Sequence, residues 1–318
     1  MEDDRLLEIQ GTFFDLIKEK NFGNLKLADQ VATILDITLS SAYKKIRCET
    51  VLTSRDYMLL AAAFGVSLDS LVMNRETDFL VRRPQFITDI DGLKKYLVDT
   101  ANELDRLSNV PHEFYYAARD LPVFLFFSNP VLIRFKIAVW LSELDSDKPF
   151  SHYYRFLPSD IMDACNKFYQ GYKRLNRWEI WSMQTLVNLH KQIEYYETIG
   201  QLSAADCVEI SQSVIHLLDT ISDEMAANSE SDNAWRIYEV DFLMMASNGL
   251  VLTPLRNVAY ISYAGINYLR IDENHFCQDL HHWFKKQIAN STALLDSKKA
   301  KVLFFQRLKK PFLDRINS

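Results

Sequence analysis

Apolar residues recur at intervals of three and four along most of the chain, and this spacing predicts helices rather than strands. In the first seventy-odd residues the apolar segments are short and are separated by breaks at Gly, Asn and Asp. Such breaks are typical of helix ends. We therefore expect five helices there, over 3–20, over about 28–35, over 39–47, from Thr53 to Gly65, and from Ser67 to Leu71.

The third of these segments, "TLSSAYKKIRCE" (38–49), has a narrow apolar side and a broad polar side. Thr38 is a suitable N-cap, because its hydroxyl can accept a hydrogen bond from a free backbone N–H of the first turn. The break before it contains Asp36, which tolerates left-handed backbone geometry better than most residues. A helical wheel places Leu39, Ala42, Tyr43 and Ile46 on the inner side, and Ser40, Ser41, Lys44, Lys45 and Cys48 on the outer side.

The order of the five helices resembles the Cro/lambda-repressor-like (XRE-type) helix-turn-helix domain. The resemblance lies in "LADQVATILDITLSSAYKKIRCETVLTSRDYMLLAAAFGVSLDSLV" (27–72), above all in the turn "LDITLSSAY" and the ending "LAAAFGVSLDSLV". Two features depart from the family. Asp36 stands in the turn where Gly is common, and acidic residues slightly outnumber cationic ones in this part of the chain.

The resemblance implies that residues 39–47 form a recognition helix, which lies in the major groove of double-stranded DNA. It also implies a homodimer, because one small helix-turn-helix buries little surface and two half-sites are normally needed. Serine hydroxyls donate or accept, so they predict no particular operator. The implied DNA contacts are Ser40, Ser41 and Lys44 to base edges, Lys45 and Arg47 to phosphates or flanking bases, and Thr38 and Lys26 to phosphates.

The remaining residues predict a larger and mostly helical domain. We expect residues 1–75 to form the helix-turn-helix domain, 76–90 a linker, and 91–318 a domain for dimerisation that is also a candidate sensor domain. Asn248-Gly249 between apolar runs is a strong hairpin signal, so a small antiparallel hairpin or sheet is expected near 238–263. The expected helices are 91–108, one from Pro130, three within 158–228 (the second at 177–200, the third from Ser203), 265–289 and 297–316, with a strand at 112–119.

The fold class expected from these patterns is therefore mainly α, with a five-helix DNA-binding domain followed by a mostly helical domain that contains a small hairpin. A helix-turn-helix followed by a large helical domain resembles bacterial one-component regulators. No thirty-odd-residue repeat accompanies the helix pairs, so a tetratricopeptide-like array is not supported.

The charge and the cysteines narrow the class of protein. The chain has 318 residues and a net charge of −6, so any DNA-binding cations must be gathered locally. Its four cysteines form no Cys-x-x-Cys pair, which is typical of a reducing compartment. The apolar stretch 121–141 is interrupted by Asn129-Pro130 and contains Arg134 and Lys136, so we expect a core segment and a cytoplasmic protein without membrane association.

The sequence lacks the usual signatures of catalysis. It has no Gly-rich phosphate loop, no Gly-x-Ser-x-Gly and no His-Glu-x-x-His, so we expect neither an enzyme nor a cofactor. The segment "ENHFCQDLHH" (273–282) brings His275, Cys277 and His281 together, which are weak candidate zinc ligands. The alternative, which we prefer, is a helix start capped by Asp272 or Asn274, with no metal site.

A cluster of aromatic residues raises the question of a small-molecule effector. Ligand pockets are largely apolar with a few polar groups, but such residues also form cores and dimer surfaces. The cluster consists of Tyr153, Tyr154, Phe156, Phe168, Tyr169, Tyr172, Trp178 and Trp181.

Taken together, the patterns predict a sequence-specific DNA-binding transcription regulator. Two alternatives stay open. The chain is an antitoxin- or adaptor-like protein-interaction module without its own operator, or its second domain is an enzyme of a kind that the signatures above do not identify.

Overall fold

The chain forms two compact units, Met1–Leu80 and Val81–Ser318, each with its own buried apolar cluster. The computed structural model describes residues 2–20, 26–71, 81–144, 148–227 and 234–317. Part of the predicted linker 76–90 lies outside the described residues, and the rest of it, from Val81 onward, belongs to the second unit.

The described residues of the first unit form four α-helices and one short 3-10 helix. Their apolar sides meet in a core that includes Phe13, Val31 and Leu60. The fifth predicted helix, from Ser67 to Leu71, is the 3-10 helix Leu68–Leu71. The α-helices are α1 (Glu2–Lys20), α2 (Leu27–Leu35), α3 (Leu39–Ile46) and α4 (Ser54–Phe64).

The predicted helix ends at Thr38, Thr53 and Gly65 are confirmed, while the end expected after residue 20 lies outside the described residues. The Thr38 hydroxyl accepts a hydrogen bond from the backbone N–H of Ser41 at 3.2 Å. Thr53 and Asp56 form a reciprocal capping box at the start of α4. Gly65 ends α4 with φ of 62°, a conformation that glycine adopts without a steric penalty.

The second unit is built on a seven-stranded mixed sheet, so the expectation of a mainly α fold with a small hairpin is wrong. The strand order is β6-β5-β4-β1-β2-β3-β7. The central strands β1, β2 and β3 run parallel, and β4, β5 and β6 continue from β1 as antiparallel neighbours. The strands are β1 (Glu113–Ala118), β2 (Arg177–Trp181), β3 (Trp235–Glu239), β4 (Asn248–Leu252), β5 (Asn257–Ala264), β6 (Asn267–Ile271) and β7 (Thr292–Ala293).

Helices lie between β1 and β2, between β2 and β3 and between β6 and β7, and helices cover both faces of the sheet. The predicted helices at 91–108, from Ser203 and at 297–316 correspond to α5, α11 and α13. Among the described residues no helix is both long and apolar enough to cross a bilayer. The helices are α5 (Ile90–Leu107), α6 (Val123–Phe126), α7 (Pro130–Leu144), α8 (Phe150–Arg155), α9 (Ser159–Lys173), α10 (Val187–Thr198), α11 (Ala204–Ala227), α12 (Asn274–Ala289) and α13 (Lys298–Ile316).

Three local predictions in this unit are wrong. The segment 177–200 is not one helix but strand β2 followed by α10. The segment 265–289 begins with strand β6 before α12. Asn248-Gly249 is not a turn: it lies in β4, where Gly249 pairs with both Tyr116 and Tyr260.

The turn between β4 and β5 lies after Gly249 instead, and the side chain of Thr253 closes it. The Thr253 hydroxyl donates to the carbonyl of Arg256 at 2.6 Å and accepts from its backbone N–H at 2.9 Å. A threonine that bonds to nearby backbone groups stabilises a turn without any glycine.

The register of the strands defines two faces of the sheet. Phe114 and Tyr116 lie on one face, towards α6 and α9, where Phe114 contacts Phe124 and Tyr172. Tyr115 lies on the other face, against Phe284 of α12. The parallel strands are therefore covered on both sides, as parallel sheets usually are.

Candidate functional site

The turn before α3 depends on one residue in the left-handed conformation. Asp36 has φ of 54° and ψ of 53°, and the backbone N–H of Ile37 donates to the carbonyl of Ala32 at 3.0 Å. This closes α2 and reverses the chain into Thr38. The left-handed geometry that the sequence predicted at Asp36 is confirmed.

Alpha-3 is held in place at its middle and at its end. Ala42 is fully buried in the core of the first unit. The buried side chain of Gln10, on α1, donates to the carbonyls of Lys45 (2.7 Å) and Thr50 (2.9 Å) and accepts from the backbone N–H of Leu52 (2.7 Å). Gln10 thus fixes the segment that follows α3, a role that the sequence pattern did not reveal.

The polar side of α3 carries three of the predicted contact residues on its exposed surface. Ser40, Lys44 and Arg47 are exposed, and Lys44 has no ion-pair partner within the part of the chain that the structure describes. Ser41 is half-buried, and its hydroxyl lies 2.9 Å from that of Thr38. The unpaired ammonium of Lys44 is the feature of this surface best suited to an anionic partner.

Two predicted contact residues lie at the borders of this surface. Thr38 is exposed, although its hydroxyl is engaged as the cap of α3. Lys26 precedes α2 and is exposed, and its side chain makes no capping hydrogen bond. Both residues are placed beside helix N-termini, where free backbone N–H groups favour anions.

Lys45 is not part of the exposed surface. Its ammonium lies 2.9 Å from a carboxylate oxygen of Asp56, and both side chains are only 16% exposed. It also donates to the carbonyl of Val51 at 3.3 Å. Burial acts to raise the pKa of Asp56, but hydrogen bonds from Thr53 and Lys45 outweigh it and lower that pKa. Lys45 therefore joins α3 to α4, and its assignment as a phosphate contact is dropped.

The apolar side of α3 is narrower than the helical wheel predicted. Leu39 is 45% exposed and Tyr43 is 38% exposed, so the assignment of both residues to the inner side is wrong. The guanidinium of Arg47 lies 5.7 Å from the centre of the Tyr43 ring and 3.5 Å from the carboxylate of Glu49. The exposed surface of α3 therefore combines cationic, hydroxyl and apolar groups.

The weak candidate metal ligands do not form a site in this structure. No group of three or more His, Cys, Asp or Glu side chains is suitably placed among the described residues. Cys277 is buried, its thiol donates to the carbonyl of Ile271, and burial raises its pKa to about 11. His281 lies against the Tyr115 ring, and burial lowers its pKa, while His275 is exposed.

The same segment is a helix start, with a different cap from the predicted one. The carboxylate of Glu273 accepts from the backbone N–H groups of His275 at 2.9 Å and Phe276 at 2.6 Å. A carboxylate at this position satisfies free N–H groups and favours the positive end of the helix dipole.

Of the alternatives that the sequence left open for the aromatic cluster, the structure supports a place in the core for most of its members and not the lining of a pocket. Five members, including Phe168 and Trp181, are buried in the core. Phe156 is 69% exposed, and Trp178 stacks on Tyr115 on the opposite face of the sheet. A cavity of about 450 Å³ lies elsewhere, between α5, α6, α7 and strands β1, β4 and β5.

Comparison of the chain with protein-family models, with curated proteins and with solved structures yields no match.

Proposed function

We propose that the chain is a transcription regulator whose first unit binds double-stranded DNA sequence-specifically through α3. The observation that supports this is the division of α3 into two sides. Ala42 is fully buried, while Ser40 and Lys44 are exposed on a short helix that is capped at Thr38. A capped helix with a free polar side is the element that the major groove admits.

The chemistry of the exposed side fits such a role. Lys44 can donate to the acceptor edge of guanine or to a phosphate, and the Ser40 hydroxyl can donate or accept at a base edge. The apolar atoms of Leu39 can contact a thymine methyl group. Because the whole chain carries a net charge of −6, these local cations must supply most of the attraction to phosphates.

We propose further that the chain binds as a homodimer. Alpha-3 has eight residues, and a contact of that size gives little buried surface and little discrimination between sequences. Two copies on one duplex double the contact and read two half-sites, separated by about 10 base pairs from centre to centre.

Selection of bound fragments from random duplex DNA tests both parts of the proposal. We expect enrichment of a two-fold symmetric sequence with half-sites about one helical turn apart. A selection that enriches no sequence would overturn sequence-specific binding. Enrichment of a single half-site would overturn the proposed homodimer but would leave sequence-specific binding by α3 intact.

Replacement of Lys44 with Ala locates the DNA-binding surface. We expect about tenfold weaker binding to the selected duplex. If Lys44 contacts a phosphate, the slope of log affinity against log salt also becomes shallower by about 0.9. Fluorescence anisotropy over a range of salt concentrations measures both quantities.

Lys18→Ala is the matched control, because it removes the same charge from an exposed lysine on α1. We expect its affinity and salt slope to match those of the parent chain. Equal effects of Lys18→Ala and Lys44→Ala would show that only net charge matters and would contradict the assignment of α3.

One observation favours the alternative of a protein-interaction module. Leu39 and Tyr43 are exposed apolar residues on α3, and apolar exposed surface is typical of protein contacts. A module of this kind would enrich no duplex. It would bind a protein partner with fixed stoichiometry, and Leu39→Ser would weaken that complex.

A further inference from the structure

The cavity in the second unit has a floor formed by a glycine between two tyrosines. Across three neighbouring strands, Tyr116 of β1 pairs with Gly249 of β4, which pairs with Tyr260 of β5. Side chains at directly paired positions lie on the same face of a sheet. Gly249 therefore leaves a gap between the two tyrosines, and a glycine inside a strand often marks a place where a ligand approaches the backbone closely.

The gap at Gly249 is not required by packing. A Cβ atom added there would lie 3.6 Å from Tyr116 and 3.7 Å from Phe114, which is ordinary contact distance. Nor does Gly249 have a positive φ. A methyl group would fit at this position, so the glycine keeps this part of the cavity floor free of any side chain.

The cavity has the size and the composition of a small-molecule site. Its volume of about 450 Å³ lies within the range of known ligand pockets, and apolar and aromatic side chains form most of its wall. Helices α5, α6 and α7 and the connection before β4 complete the wall. Its apolar part includes Leu104, Phe114, Tyr116, Phe124, Trp140 and Val251.

The carboxylates in the wall already have donors. Glu103 accepts from the hydroxyl of Tyr260 at 2.9 Å and lies 3.5 Å from the guanidinium of Arg270. Asp120 accepts a hydrogen bond from the side-chain amide of Asn188. The carboxylates of Glu103 and Asp120 therefore do not need a cationic ligand as a hydrogen-bond donor.

Lys136 is in the opposite situation. Its ammonium donates to the side-chain oxygen of Gln192 at 3.2 Å and lies 5.0 Å and 5.7 Å from the ring centres of Phe126 and Trp140. Within the part of the chain that the structure describes, no carboxylate lies within ion-pair distance of it. Burial lowers the pKa of Lys136 to about 8, although Asp120 acts in the opposite direction.

A half-buried ammonium with no carboxylate within ion-pair distance keeps part of its desolvation penalty, because the more distant Asp120 offsets only some of it. A bound anion would remove the rest of that penalty. Aromatic rings on two sides supply only part of the lost hydration. Arg119 also lines the cavity, but it is exposed to solvent and carries no such penalty.

We propose that this cavity binds a small carboxylic acid with an aromatic or alicyclic body. Its carboxylate pairs with Lys136, and its apolar body lies over Gly249 between Tyr116 and Tyr260. The proposal concerns the second unit alone and does not depend on DNA binding. If the chain is a regulator, this ligand is its effector.

Binding to the full chain, in the absence of DNA, tests the proposal. The probes are a panel of aryl and cycloalkyl carboxylates, each with its uncharged carboxamide, screened by thermal shift and measured by isothermal titration calorimetry. We expect at least one carboxylate to bind with one-to-one stoichiometry, and at least tenfold more tightly than its amide. A panel in which no carboxylate binds, or in which the amides bind equally well, would overturn the proposal.

Lys136→Met tests whether the ammonium of Lys136 binds the ligand carboxylate, because methionine keeps an apolar side chain and removes the ammonium. We expect carboxylate affinity to fall at least tenfold and amide affinity to stay unchanged. Lys173→Met is the matched control: Lys173 also lies near an aromatic ring, that of Tyr169, but does not line the cavity. Loss of binding in Arg119→Met but not in Lys136→Met would refute the assignment to Lys136.

Gly249→Val tests whether the apolar body of the ligand lies over Gly249. A β-branched side chain suits a strand and the Cβ position is free, so we expect the variant to fold. The added methyl groups occupy the floor, so both members of a probe pair should bind at least tenfold more weakly. A stable Gly249→Val variant that binds the probe like the parent would show that the ligand lies elsewhere.

Discussion

At the scale of single residues, the first unit depends on Asp36. Its left-handed conformation sets the direction in which α3 leaves α2, and therefore which side of α3 is exposed. Aspartate tolerates this conformation at a small cost, and glycine at less, whereas a β-branched residue is strongly disfavoured.

We therefore expect Asp36→Val to destabilise the first unit by about 1–2 kcal/mol and Asp36→Gly to leave its stability close to that of the parent. Hydrogen exchange of the backbone amides in α2 and α3, followed by mass spectrometry, measures the free energy of local opening. Equal protection in the Val and Gly variants would contradict a role for backbone geometry at this position.

Lys44 and Lys45 show what sequence alone does not resolve at this scale. Two adjacent lysines on one helix look equivalent on a helical wheel. They differ because Asp56, eleven positions after Lys45, places its carboxylate beside that lysine alone. The caps at Thr38 and Thr53 were predictable because their partners lie three residues away, and the pairing of Lys45 was not because its partner belongs to another helix.

At the scale of elements, strand β2 carries a buried ion pair. The guanidinium of Arg177 lies 3.9 Å from the carboxylate of Glu179, and both side chains are almost fully buried. That guanidinium also lies 4.3 Å and 4.1 Å from the ring centres of Tyr172 and Trp235. Glu179 accepts from the indole N–H of Trp181 at 2.8 Å and from the hydroxyl of Tyr172.

Replacement of one partner of this pair leaves the other as an uncompensated buried charge. We expect Glu179→Gln to destabilise the second unit by about 3–5 kcal/mol. The double variant R177M/E179Q should recover part of that loss, because it removes the stranded charge. Urea unfolding followed by tryptophan fluorescence measures both, and a double variant less stable than Glu179→Gln would contradict the explanation.

Strand β2 also explains why the sheet was not predicted. Trp178 and Trp181 are three residues apart, which imitates helical spacing, but in a strand that separation places them on opposite faces. Parallel strands covered on both sides lack the alternation that identifies an exposed strand. Helices α5, α11 and α13 were predicted because their periodicity is local, whereas β1, β2 and β3 become neighbours only through the fold.

The cavity was not predicted for a related reason. In the sequence, Asn248-Gly249 carries the strongest local signal for a turn, although a glycine also occurs inside strands where backbone must stay uncovered. Only the pairing of Gly249 with tyrosines on two other strands shows what the glycine leaves open.

At the scale of the whole molecule, the two units have separate buried clusters. We therefore expect their stabilities to respond independently to substitution. All five tryptophans (Trp140, Trp178, Trp181, Trp235 and Trp283) belong to the second unit, so tryptophan fluorescence reports on that unit.

In particular, Asp36→Val should leave the fluorescence-detected unfolding midpoint unchanged, and Glu179→Gln should leave hydrogen exchange of α2 and α3 unchanged. In the double variant D36V/E179Q, the two losses of unfolding free energy should add to within about 0.5 kcal/mol. A shift of the fluorescence midpoint by Asp36→Val would show that the two units unfold as one.

The segment that opens the second unit protects an edge of its sheet. Arg82 forms a backbone bridge to Arg270 on the outer strand β6, and the backbone N–H of Ile87 donates to the side chain of Asn267 at 3.0 Å. A fragment that began at the first residue of α5 would lose this cover. Its bare strand would then be free to pair with the same strand of another molecule, the usual route to aggregates. Anyone who expresses the second unit alone should therefore begin the fragment no later than Val81.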